Sequence, residues 1–72
     1  MVNIDKLRGA MRERRISVEE LAAAIGIDDS TLYRRLSDNG ETFTIKEVDK
    51  IVKVLDLPVD VATAIFFNSI VA

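Results

Sequence analysis

The chain has no cysteine and no histidine among its 72 residues. Disulfide staples, thiolate or imidazole zinc sites, and thiol or imidazole catalysis are therefore all excluded, and neither a metal site nor a cofactor is expected. There is no phosphate-binding glycine loop and no acid/base pair beyond Asp28-Asp29, whose place at a helix start explains them without chemistry, so an enzyme is not expected. No apolar run approaches the roughly 20 residues needed to span a bilayer, and the opening MVNIDKLRG lacks a signal-peptide core, which points to a cytoplasmic protein with no membrane partner. One proline and three glycines leave no room for a flexible linker, and no internal repeat or low-complexity run is present. Residues 1–72 thus read as one small domain, near the lower size at which a chain without disulfides or metal buries an adequate core.

A basic surplus is also missing. The formal net charge is -2, with an isoelectric point near 5.0, whereas domains that bind nucleic acid are as a rule basic. The distribution is uneven, however. Residues 1–36 carry seven Lys/Arg against six Asp/Glu, and residues 37–72 carry three against six. Arg12, Arg14, Arg15, Arg34 and Arg35 all fall in the first half, so a local positive surface is compatible with an acidic total. Of these, Arg12, Arg14 and Arg15 read first as solvated charges, with phosphate contact as the alternative.

The hydrophobic pattern is helical throughout and fits an all-α, compact five-helix bundle. Asn3 can cap a first helix, with Ile4, Leu7 and Met11 on one face, running to about Arg15. Ser17 and Glu20 form a capping box, so a second helix starts at Val18, buries Val18, Leu21, Ala22 and Ile25, and stops at Gly26, a residue suited to a left-handed C-cap. Asp28 is a good N-cap and Asp29 a favourable first-turn acid for a third helix, with Leu32 and Leu36 facing inward. Stepping about 100° per residue from Leu32 turns Ser30, Arg34 and Ser37 outward, with Thr31 and Tyr33 beside them. Arg35 falls near the buried flank, where its stem can pack or its head can pair with an acid. Asp38-Asn39-Gly40 ends that helix. Thr44 and Glu47 then make a second capping box, Phe43 is placed to staple it against Val48, and Ile45, Val48, Ile51, Val52 and Leu55 share one face of a fourth helix. Pro58 fits the first turn of a fifth, from about Val59 to Phe67.

Residues 17–40 are thus two short capped helices joined by a tight turn, a helix-turn-helix. At Leu21-Ala22, Ile25-Gly26-Ile27 and Leu32 the chain resembles the phage repressor and Cro-type family, also called XRE-like, over roughly residues 4 to 65. Val18 and Asp28-Asp29 depart from it: many members carry a phosphate-bracing glutamine at the first, and polar uncharged or basic residues at the second. The resemblance implies a lambda-repressor-like fold and a transcriptional regulator whose third helix enters the major groove of double-stranded operator DNA. Asp29, Ser30, Thr31, Tyr33 and Arg34 would then read bases, and Ser17, Ser37, Thr44 and Lys46 would meet phosphates. A protein-binding module that modulates another repressor remains the alternative, because fold does not fix the ligand. The carboxy-terminal stretch is more apolar than a chain end requires. Phe66, Phe67, Ile70 and Val71 are expected to form a homodimer contact within a tail at 66–72, unless Ile65 and Phe66 complete the monomer core.

Overall fold

The computed structural model describes residues 2–67. Five helices follow in order: α1 (Ile4–Glu13), α2 (Val18–Ile25), α3 (Asp29–Ser37), α4 (Ile45–Val54) and α5 (Val59–Phe66). No strand occurs among the described residues. Each helix contributes at least one fully buried aliphatic side chain: Leu7, Leu21, Leu32, Ile51 and Leu55 near the end of α4, and Ile65. The single core that results places α2 against both α3 and α4, and α1 against α5.

The helix starts are set by local chemistry. The Asn3 side chain accepts from the Lys6 amide at 3.1 Å. Both capping boxes form in full, with Ser17 Oγ accepting from the Glu20 amide and Glu20 Oε1 accepting from the Ser17 amide, and Thr44 and Glu47 repeating the exchange. Asp28 takes the extended N-cap backbone of α3, but its carboxylate accepts no capping hydrogen bond. Asp29 Oδ1 instead accepts from the Ser30 amide at 2.8 Å.

The stops share one device. After α1, α2 and α4 a residue in the left-handed region (Arg15, Gly26 and Asp56) is followed by an apolar residue whose amide donates back to the preceding turn. These are Ile16 to Met11, Ile27 to Ala22 and Leu57 to Val52, at 3.0 Å each, the pattern that satisfies orphaned carbonyls at a helix end. Only the second was legible from a glycine. The first helix consequently ends at Glu13, short of the Arg15 expected from its periodicity, because Arg15 turns left-handed at φ 54°. Arg14, taken above as a solvated charge, donates through Nε to the Leu55 carbonyl and ties α1 to the end of α4.

Gly40 is buried at φ +73°, and a Cβ there would stand 2.5 Å from Val2 Cβ. The amino-terminal residues therefore pass directly over the loop that leaves α3. The Asn3 amide then donates to the Ile65 carbonyl at 2.7 Å, fastening that segment to α5.

Two side chains stand otherwise than expected. Ile45, assigned to the core face of α4, is 90% exposed, because it occupies the first position of the helix and projects beyond the neighbours that cover Val48 and Ile51. Phe66, expected at a subunit contact or else with Ile65 in the monomer core, takes the second place: it is buried at 7% exposure, its ring edge-on to Phe43 with centroids 6.3 Å apart. The edge-to-face contact with Phe43 accompanies its burial. Phe67 is exposed, and Ile70 and Val71 lie outside the described residues.

Candidate nucleic-acid interface

Residues 17–40 fold as two helices meeting at Gly26, φ 80°, with Leu21, Ala22 and Leu32 closing the angle between them. Ala22 is 1% exposed, so a larger side chain there would push α3 off α2. The outer face of α3 carries Ser30, Tyr33, Arg34 and Ser37, all exposed, while Thr31 is half-buried beside them.

These side chains are not equally free. Arg34 makes no hydrogen bond or ion pair among the described residues, whereas its neighbour Arg35 is paired. Arg35 Nε and Nη2 donate to Glu47 Oε1 and Oε2, both at 3.0 Å, a bidentate pair between the end of α3 and the start of α4. Glu47 Oε1 also receives the Thr44 amide, so one carboxylate both caps α4 and anchors α3. The Arg35 bond, aided by the Thr44 amide, holds the Glu47 carboxyl below its ordinary range, and Arg35 is correspondingly raised.

Tyr33 donates its hydroxyl to Glu19 Oε2 at 2.8 Å, across from α3 to the first turn of α2. That bond lowers Glu19 and raises Tyr33, with Arg8 weakly opposing the rise. Ser37 donates its hydroxyl to the Tyr33 carbonyl at 3.0 Å, so any gift of that proton to a phosphate requires exchanging this bond. The caps made by Ser17 and Thr44 use their oxygens as acceptors, which leaves each hydroxyl proton to serve another acceptor. Lys46 is exposed in the first turn of α4. Arg8 and Arg12 flank a shallow groove that opens beside Ser17 and Val18, bringing two cations to the start of α2.

Acid is present on the same side. Glu19 and Glu20 lie in the first turn of α2, with Asp28 and Asp29 at the start of α3, where the partial positive charge of a helix start favours them. The partners Glu19 and Glu47 were not anticipated. Each sits 12 to 14 residues from the side chain it holds, a separation no helical spacing encodes. Arg35 was expected to pack or to pair, and it pairs.

A capped helix, a glycine turn and a second helix presenting serine, tyrosine and arginine outward define a helix-turn-helix protein. A family model for the Cro/C1-type HTH DNA-binding domain matches residues 6–60, and the chain belongs to that family. No curated protein and no solved structure matches the chain. Among the described residues no helix is long and apolar enough to cross a membrane.

Proposed function

We propose that this domain is a DNA-binding transcriptional regulator of phage Cro/repressor type, acting in the cytoplasm as a homodimer, with α3 in the major groove of an operator. The observation that carries this reading is the state of the two adjacent arginines. Arg35 is spent on Glu47, whereas Arg34 points outward from the middle of α3 with no partner among the described residues. A guanidinium so placed can grip guanine O6 and N7. Asp29, Ser30, Thr31 and Tyr33 complete the base-facing set. Ser17, Ser37, Thr44 and Lys46 are assigned to phosphates, which position the helix without reading sequence.

The homodimer rests on an apolar cleft between α4 and α5, lined by Ile45, Val48, Val52, Val59 and Phe67. Ile45 and Val59 are 90% and 84% exposed there, an arrangement that costs solubility unless something covers it. A second copy covering that face presents two α3 helices to a two-fold operator, with half-sites about 34 Å apart.

The four carboxylates at the starts of α2 and α3 favour a second reading, in which this surface docks on a basic regulator protein instead of DNA. Selection of a random duplex pool on the protein separates the two. The DNA reading expects an enriched sequence on which Arg34→Ala costs about 1–3 kcal/mol, with little change on a scrambled duplex. A pool that never enriches, together with capture of a basic repressor that is lost on Asp28→Ser/Asp29→Asn, would establish the protein-docking reading.

A further inference from the structure

We infer that Tyr33 reads DNA through its ring, as an apolar contact to a thymine 5-methyl group, and that Glu19 is the positioning residue that holds the ring there. The inference rests on the DNA-binding reading above and goes further than it.

A phenol has one proton to give. That of Tyr33 goes to Glu19 Oε2 at 2.8 Å, so the hydroxyl has nothing to donate to a phosphate oxygen or to a base acceptor while this bond stands. Swinging the ring free would break a charge-assisted hydrogen bond, the stronger kind, because the same contact keeps Glu19 ionised. The anchor itself is well fixed. Glu19 follows Val18 at the start of α2, and the reciprocal Ser17 and Glu20 bonds pin that turn at 2.9 and 3.1 Å. On the other side, Ser37 holds the Tyr33 carbonyl.

With its proton committed, what Tyr33 offers outward is aromatic carbon and an oxygen that can only accept. Tyr33 is 44% exposed and lies beside Arg34, in a row whose other members, Ser30 and Ser37, are small and polar. The major-groove feature that matches exposed carbon is the thymine methyl, the one apolar group on the edges of the four bases. The Arg34 and Tyr33 neighbours then recognise different chemistry, a guanine edge and a thymine methyl.

The probe is a duplex selected from a random pool on the full chain, remade with each thymine in turn replaced by deoxyuridine, which removes the methyl group alone. Wild-type protein should lose about fourfold in affinity at one thymine per half-site, the equivalent of one methyl group withdrawn from contact. Tyr33→Ala should bind the thymine and uracil versions equally. Tyr33→Phe, which keeps the ring but loses the bond to Glu19, should shrink the ratio without abolishing it. Glu19→Ala should shrink the ratio, and Glu19→Gln, whose amide oxygen still accepts, should restore it; circular dichroism checks that each variant is folded. Indifference of the wild type to every replacement, or a Tyr33→Ala variant that keeps the ratio, overturns the inference while leaving DNA binding in place. Failure of the pool to enrich at all removes the DNA-binding reading itself, and the inference with it.

Discussion

Phe66 and Phe67 are adjacent, aromatic and of the same size, yet they face different surroundings, which allows the core and the exposed face to be tested separately. Phe66 is 7% exposed and meets Phe43 edge-on, so Phe66→Ala removes a buried ring from the seam between α5 and the loop before α4. Truncations of that kind cost about 3–5 kcal/mol. At about 0.05–0.15 kcal/mol per residue, a chain of this length has a total stability of roughly 4–11 kcal/mol, so the variant should lose from about a quarter to all of it. Phe67 is 45% exposed at the mouth of the cleft between α4 and α5. Phe67→Asp should therefore unfold in urea within about 1 kcal/mol of the wild type when both are diluted until the wild type is monomeric, while sedimentation velocity at higher concentration shows a monomer where the wild type shows a dimer. Equal destabilisation by the two changes would place both rings in one core and refute the assignment of Phe67 to an interface. An unaltered sedimentation coefficient for a folded Phe67→Asp would remove the cleft as the dimer contact.

Gly40→Ala should cost about 1–2 kcal/mol in urea denaturation from its left-handed backbone alone, and more from the collision with Val2; a loss of under about 0.5 kcal/mol, the range of an ordinary surface change, would mean that the amino-terminal segment does not cross that loop in solution. Thermal stability should be greatest between pH 4.5 and 10.0. Glu47 has its carboxyl lowered by Arg35, so its contribution is complete above the ordinary value of 4.5 and disappears as the pH falls through the lowered one, whereas the raised Tyr33 contributes below 10.0 and its bond to Glu19 is lost as the pH rises past its own titration. Glu47→Gln should flatten the acid limb, and an unchanged limb would show that the Arg35 pair does not act in solution. Asp28→Ser/Asp29→Asn, which removes two charges from the start of α3 while the introduced serine can still cap, should bind scrambled DNA more tightly and discriminate less, measured by fluorescence anisotropy; weaker binding to scrambled DNA would contradict a DNA-facing position for α3.

Most of the fold could be read along the chain because it is written locally. Ser17 with Glu20, Thr44 with Glu47, and Gly26 are signals contained within four residues, and they place three of the helix boundaries directly. The stops after α1 and α4 were less legible, since Arg15 and Asp56 adopt a left-handed backbone that their identities do not announce. Periodicity also misplaced Ile45: it reports which direction a side chain points, and says nothing of whether a neighbour exists at the first turn to receive it. Phe66 and Phe67 posed the reverse difficulty, because two adjacent rings on a short helix cannot both be inward and only the packing against Phe43 decides which one is. In the site, the outward residues of α3 followed from the helical step alone. Their availability did not. That Tyr33 is tied to Glu19, that Arg35 is tied to Glu47 and that Arg34 is left over depends on how α2, α3 and α4 meet, which is tertiary information. The departures at Val18 and Asp28-Asp29 acquire meaning in the same way: Asp28 does not cap through its side chain, so its carboxylate is free to repel or to select a partner.

The most direct test of DNA recognition by α3 is a salt titration of binding to the selected duplex and to a scrambled one of equal length. Each phosphate neutralised by Lys or Arg contributes a slope of about -0.9 to the logarithm of affinity against the logarithm of salt. Recognition through α3 predicts a linear fall on both duplexes, with a slope of about -2 or steeper from the two Lys46 side chains of a dimer, with the selected sequence bound at least about 10³-fold more tightly throughout, and with that advantage reduced in Arg34→Ala while the slope on the scrambled duplex is nearly unchanged. Affinity that is negligible at the lowest salt, or equal for the two duplexes, would contradict it and leave the helix-turn-helix as a scaffold for another partner.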